Sequence, residues 1–317
     1  MVRRFAFGSG LASILVLGWA STGSADAETA QEILLTLNLV TTGDVSTQSD
    51  IVGNSVVGGD LSGASFFSGG SNIPTSPLLY VYGTIASGPL NIDAGGTLFY
   101  AGSINPPTVN FNGGGGQNTT LPPVMNFTAP LKALSTQLEN EGNNPTMKTS
   151  IDLTGNTLTF NAGNNTGIVV FDISGSVLQT ELLGRDIDFE GTGVTSFIID
   201  VSGDFSQPNN SHINTLQPDA LFNFYDATTV DVGSWSGASI LAPDASVSIT
   251  GGGNLSGSLF AKEFLGGGEL HNDNLFNGAL PPTTVPEPST WAMMLAGFAG
   301  RGFVGFRRSR KQSIAAF

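Results

Sequence analysis

Gly58-Gly59-Asp60-Leu61-Ser62-Gly63 recurs as Gly252-Gly253-Asn254-Leu255-Ser256-Gly257, and each copy runs into aromatic or aliphatic residues within four positions. A six-residue match with one Asp-to-Asn difference is the mark of a repeated structural unit, and it predicts that the two copies are equivalent rungs of a strand-rich coil. Around the first copy the chain is cut into short apolar runs by glycine. Ile51-Val52-Gly53, Val56-Val57-Gly58, Leu78 to Tyr82, Ile85, Leu90-Asn91-Ile92 and Thr97 to Tyr100 are too short for helices and suit strands. Ile33 to Val40 likewise reads as a strand that ends at the turn Thr41-Thr42-Gly43-Asp44. Around the second copy, Leu221 to Phe224, Thr229 to Val232, Ser239 to Leu241, Val247 to Ile249 and Leu255 to Phe260 follow one another at about ten-residue intervals. Parallel rungs and an antiparallel sandwich both allow that spacing.

Between the copies one helix is expected, over about 128–141. Thr128 can cap it, Pro130 falls in the first turn where its missing N–H does no harm, and Leu131, Leu134 and Leu138 are at helical spacing. Gly142 stops it, before Asn143-Asn144-Pro145. A single amphipathic helix among strands needs a sheet face to cover, and the side of a solenoid offers one. Past the helix, Ile151-Asp152-Leu153 and Leu158-Thr159-Phe160 flank the turn Gly155-Asn156, and Ile168 to Ile173 and Phe197 to Val201 read as buried strands.

Both ends of the chain are of a different kind. Arg3-Arg4, an apolar run from Phe5 to Ala20 and a small-residue stretch have the layout of a secretory signal peptide over 1–27. Ala25-Asp26-Ala27 supplies the cleavage site for signal peptidase, after Ala27 or, second, after Ala25. At the other end, the linker 281–290 holds Val285-Pro286-Glu287-Pro288. Its two prolines fix φ and remove backbone donors, which leaves a stiff extended segment for a processing enzyme to grip. A transmembrane segment, 291–306, follows, and the basic tail 307–317 carries Arg307, Arg308, Arg310 and Lys311 as a stop signal that stays cytoplasmic. Sixteen helical residues reach only about 24 Å across a hydrocarbon layer of about 30 Å, and Arg301 weakens the span further.

The composition limits what the body, residues 28–280, can do. Between residues 28 and 286 the basic residues are Lys132, Lys148, Arg185 and Lys262, against 23 acidic ones. Such a surface repels nucleic acid and anionic lipid and leaves sugars of low charge or cations as partners. No cysteine is present. Disulfides, thiol catalysis and thiolate metal sites are thereby excluded, and stability outside the cell rests on packing and hydrogen bonds.

Few residues have the pattern of a reactive site. Asp186, Asp188 and Glu190 alternate along one strand, so their carboxylates share a face, a weak candidate for calcium or for acid–base work on sugars. Elimination chemistry on sugars also needs a nearby base, and the body has almost none. Glu269 and His271, with His212 the only other histidine, fall short of a zinc set. Two stretches, Thr157-Leu158-Thr159 and Ser248-Ile249-Thr250, bring to mind the Thr-x-Thr arrays that order water on ice-binding faces, but they are isolated. No catalytic residue and no resident cofactor is expected.

Two resemblances sharpen this reading. Val285-Pro286-Glu287-Pro288-Ser289-Thr290-Trp291-Ala292, the apolar stretch and the arginine-rich end resemble the PEP-CTERM signal of bacterial exoproteins. That resemblance implies processing by an exosortase in a Gram-negative bacterium that makes exopolysaccharide, with an inner-membrane intermediate before the cell surface or matrix. Trp235 to Ala245, Gly257 to Lys262 and Gly268 to Asn272, together with Asp50 to Gly53 and Val57 to Leu61, are similar to the choice-of-anchor A domain. This second resemblance implies a β-solenoid that serves as a non-enzymatic adhesive or matrix module. The alternatives kept open are a calcium-dependent polysaccharide-active enzyme and an ice-binding-like protein.

Overall fold

A computed structural model of the 317-residue chain describes residues 30–69, 72–105, 109–118, 127–142, 149–208, 211, 213–214, 217–250 and 252–281. The signal peptide, the Pro-Glu-Pro motif, the transmembrane segment and the basic tail expected from the sequence lie outside these residues.

The body is mainly β, a parallel solenoid whose rungs each cross up to three strand ladders. In the first ladder the spatial order is Gly167–Ser174, Val194–Ser202, Ala220–Phe224, Ser239–Ile249, Leu259–Gly266, Leu39–Thr41, Ser55–Val57, Leu78–Val81, Thr97–Tyr100 and Gly116–Asn118, all parallel. Parallel strands buried on both faces are rich in Val, Ile, Leu and Phe, as these are. Chain order and spatial order therefore differ. The chain enters in mid-solenoid, coils toward one end, returns to the other, and coils back until its last rung, 259–271, lies against its first, 39–51.

Alternation along the strands fills the core with side chains in register. On the first ladder Phe171, Ile199, Phe222, Ile240, Leu259, Leu39, Ser55, Leu79 and Leu98 form one inward column. On the second, Phe205, Val230, Val247, Phe264, Val45, Leu61 and Ile85 do the same, and on the third Ile213, Trp235, Leu255, Leu270, Ile51, Phe66, Ile92 and Phe111. Trp235 packs edge-on to Phe222 at 4.8 Å and donates its indole N–H to the Ala238 carbonyl at 2.9 Å.

Among the described residues three helices stand where the sequence predicts one for the body. α1, Ala30–Thr36, takes up the start of the run read as a strand, so that only Leu39–Thr41 is extended. The reason is amphipathic: Ala30, Ile33 and Leu34 face inward at helical spacing while Glu32 and Leu35 stay out. α2, Thr128–Gly142, is the expected helix. α3, Gly175–Glu181, is capped by Ser174, whose hydroxyl accepts the Val177 N–H at 3.3 Å. α1 and α2 cover the outer face of the first ladder. Leu131, Leu134 and Leu138 join Ile33 and Leu34 over Val170, Ile198, Leu221, Leu241, Phe260, Val40 and Val56 as a second core.

The two copies of the Gly-Gly-Asp/Asn-Leu-Ser-Gly motif are not equivalent rungs. Leu61 of the first copy enters the second ladder and Leu255 of the second copy enters the third. What the copies share is a corner at which backbones of successive rungs nearly touch. A Cβ on Gly59 would stand 2.2 Å from the Asp44 side chain, and one on Gly253 would stand 2.3 Å from the Gly233 carbonyl. Glycine is required at each corner for want of space. The motif marks a way to turn, used at two different corners.

Candidate functional site

The three ladders offer different outer faces. The first is closed by α1 and α2. Outward residues of the second ladder are mostly small and polar, Ser206, Asp231, Ser248, Ser46 and Ser62, with the exposed Leu265 among them and Asp231 held by the Ser248 hydroxyl. Outward residues of the third include Ser65, Asn91 and Asn110, which form a ladder across three rungs. The Asn91 amide donates to Ser65 Oγ at 3.2 Å and accepts from the Asn110 amide at 2.9 Å, and Asn112 donates to Asp93 at 2.6 Å. At a repeat of about 4.8 Å per rung these rows make regular, uncharged-to-acidic surfaces suited to binding an extended ligand.

Turn carboxylates are tied into the frame. Asp44 accepts the Asp60 N–H, and Asp60 the Thr84 N–H, each at 2.7 Å, so each rung's corner is stitched to the next. Asp204 accepts the backbone N–H groups of Thr229 and Thr228 and the Thr228 hydroxyl, and these bonds hold its carboxyl below the ordinary value. These acids are structural acceptors.

Asp186, Asp188 and Glu190 lie on the strand Asp186–Glu190 of a separate three-stranded sheet, all three exposed, with Ile187 buried and Phe189 half-buried between them. Consecutive members of such a row stand about 6.6 Å apart along the strand, whereas calcium draws its oxygens to about 2.3–2.6 Å. Glu190 accepts from the Asn161 amide at 3.1 Å and Asp188 from the Phe189 N–H at 2.9 Å. Among the described residues no group of three or more His, Asp or Glu side chains is placed to hold a metal ion. His271 pairs with Glu269 at 2.9 Å on the last rung, which lies in mid-stack between two others, and His212 lies outside the described residues. Arg185 donates to the Glu181 carbonyl at 2.5 Å. The threonines compared with ice-binding arrays are apart: Thr157 and Thr159 belong to the small sheet, and Thr250 follows the strand Ser239–Ile249.

A buried carboxyl stands apart from the residues that the sequence pattern singles out. Asp200 projects from the outer face of the first ladder beneath α2 and is fully buried. It accepts from the Asn223 amide at 2.7 Å, and Asn223 in turn pairs with Ser135 of α2, donating to its carbonyl at 2.9 Å and accepting from its hydroxyl at 2.6 Å. The second Asp200 oxygen has no hydrogen-bond partner. Burial pushes this carboxyl up to about 7, opposed by the Asn223 bond and assisted by Asp172 and Glu139. Only its place in a Phe-Ile-Ile-Asp-Val run marked it in the sequence.

Two family models match the chain. Residues 31–272 match the family described as "Putative Ice-binding-like adhesive domain", over the stretch that resembles the choice-of-anchor A domain, and residues 284–311 match the PEP-CTERM protein-sorting motif. No curated protein and no solved structure matches. The sorting motif spans Val285 to Pro288 and Arg307 to Lys311, and it marks an exosortase substrate that is exported through a membrane intermediate to the surface of a Gram-negative bacterium. No helix among the described residues is long and apolar enough to cross a membrane. With its adhesive domain covering most of its length, the chain belongs to the ice-binding-like adhesive domain family, and it carries a PEP-CTERM tail.

Proposed function

We propose that the protein is a non-catalytic adhesin of the extracellular matrix, released from its membrane intermediate and retained on exopolysaccharide through the outer faces of the second and third ladders. Signal peptidase would act after Ala27 or Ala25, and exosortase at the Pro-Glu-Pro segment. The observation that supports this reading is the exposed polar surface itself: Ser206, Asp231, Ser248, Leu265, Ser46 and Ser62 on the second ladder and Ser65, Asn91 and Asn110 on the third form rows that are mostly Ser and Asn and hold no basic residue. Such a face makes many weak hydrogen bonds to a long polymer, and avidity multiplies them.

Catalysis has less support. The Asp186, Asp188 and Glu190 carboxylates stand exposed along one strand, whereas glycoside hydrolysis uses a pair that flanks the scissile bond. No cofactor is needed for the proposed role. Incubation of the full-length protein with exopolysaccharide from the producing bacterium tests it. Co-sedimentation without new reducing or unsaturated ends is expected; release of such ends would identify an enzyme and overturn the reading.

A further inference from the structure

A trough of about 380 Å3 interrupts the corner between the second and third ladders. Its polar lining is Ser46, Thr47, Gln48, Ser62, Ser65 and Asn91, and Gly63, Ala64, Gly88 and Pro89 supply an apolar floor. We propose that this trough is a binding subsite for a neutral hexose unit of a polysaccharide, a proposal that rests on the matrix reading and gives it a place and a ligand class.

The trough exists because the rungs slip out of register there. The pairing of Val45–Ile51 with Leu61–Phe66 shifts between Thr47 and Asp50, and that of Leu61–Phe66 with Ile85–Ser87 shifts between Leu61 and Ser62. Irregularities of this kind bend the strand and re-aim its side chains. Gly63 has φ +75° and lies so close to the next rung that a Cβ would stand 2.1 Å from the Thr47 carbonyl. Gly88, at φ +81°, packs against the Gly63 Cα. Ala64 sits between them in the chain order at φ +83°, a region that costs a residue with a Cβ. The backbone is thus drawn inward over three rungs, and a hollow opens in an otherwise regular surface.

The lining chemistry selects the ligand. Hydroxyl and amide groups each donate and accept, which is the pattern that sugar hydroxyls present in return. Asn91 is held in one orientation by its bonds to Ser65 and Asn110, which leaves one amide N–H and one carbonyl lone pair for a ligand. The Gly-Ala-Pro floor suits the C–H face of a pyranose ring. No lysine or arginine lines the trough, Asp50 stands beside Ser65 in register, and the body is strongly anionic, so sulfated, phosphorylated or uronate sugars meet no counter-charge. The volume is at the small end for ligand sites and suits one or two rings of a longer chain.

The test uses full-length protein in detergent with cellohexaose, mannohexaose and hexagalacturonate, followed by saturation-transfer NMR and calorimetry. At least one neutral hexasaccharide is expected to bind at about 1 mM or tighter, and hexagalacturonate about tenfold more weakly. Ser62→Trp fills the trough and should abolish measurable binding; Gln48→Ala, at an exposed position, should weaken it severalfold with an unchanged melting temperature. Equal binding by both variants, or preference for the uronate, overturns the subsite. Retention on exopolysaccharide without neutral hexasaccharide binding also overturns it and leaves the adhesin reading standing. Hexasaccharide binding lost in Ser62→Trp, without retention on exopolysaccharide, upholds the subsite and sinks the matrix reading.

Discussion

Asn38 ties the first rung of the coil to the last. It is fully buried at the junction of the first and last rungs, where its amide donates to the carbonyls of Gly257 at 2.7 Å and His271 at 3.0 Å and its oxygen accepts the Gly53 N–H at 3.1 Å. Truncation would leave the Gly257 carbonyl and the Gly53 N–H unpaired in the interior, while the His271 carbonyl keeps the Gly257 N–H, and each unpaired group costs about 1–3 kcal/mol. Asn38→Ala is therefore expected to lower unfolding free energy by about 2–4 kcal/mol in urea titration. Nothing in the sequence around Leu37-Asn38-Leu39 reveals this, because Gly257 and His271 are more than 200 residues away. Asp200 gives the second prediction at this scale. Its carboxyl is ordinarily at 3.8 and is raised to about 7 in the fold, so the folded state holds the proton more tightly. The stability it contributes is complete below pH 3.8 and is lost as pH rises through about 7. Asp200→Asn keeps the bond to Asn223 without the charge. It should match wild type near pH 4 and exceed it at pH 8 by an amount on the order of a few kcal/mol; a pH-independent difference would contradict the assignment.

Among the elements, α2 was legible because three local signals agree: a threonine cap, a first-turn proline and leucines at 131, 134 and 138 before a glycine stop. α1 was misread because Ile33-Leu34-Leu35 satisfies either period when eight apolar-rich residues are considered alone; the second core decides it by demanding a helical stripe. α3 is about two capped turns, too short to show a period. The short strands were legible as strands, yet not their ladder, since a rung corner and a hairpin turn use the same glycines. Leu134 is fully buried where α2 crosses the sheet. Leu134→Ala should cost about 2–5 kcal/mol and Leu134→Asp more, with loss of near-ultraviolet dichroism and exposure of the first ladder to hydrophobic dyes.

The whole molecule is a solenoid closed in an unusual order, with the chain's first rung sandwiched between its second and its last. Contacts at that seam span over 200 residues, so the rungs on either side complete one another and the centre of the stack should be its most cooperative part. Hydrogen exchange tests this: amides of 39–41 and 259–261 should exchange only by global unfolding, and those of the terminal strand 116–118 much faster. Early exchange at the seam would show two independent halves. The parallel coil was anticipated from short glycine-bounded strands and a resemblance, whereas the seam was not, because no local pattern encodes which rung neighbours which.

Sorting to the surface is the claim on which the adhesive role depends. Protease shaving of intact producing cells, with immunodetection of the body, reads it directly in wild type and in the Pro286→Ala/Pro288→Ala variant. The account predicts a processed, protease-accessible body in wild type and an inaccessible, membrane-retained precursor in the variant. A wild-type body shielded inside intact cells, or unchanged processing in the variant, would contradict it.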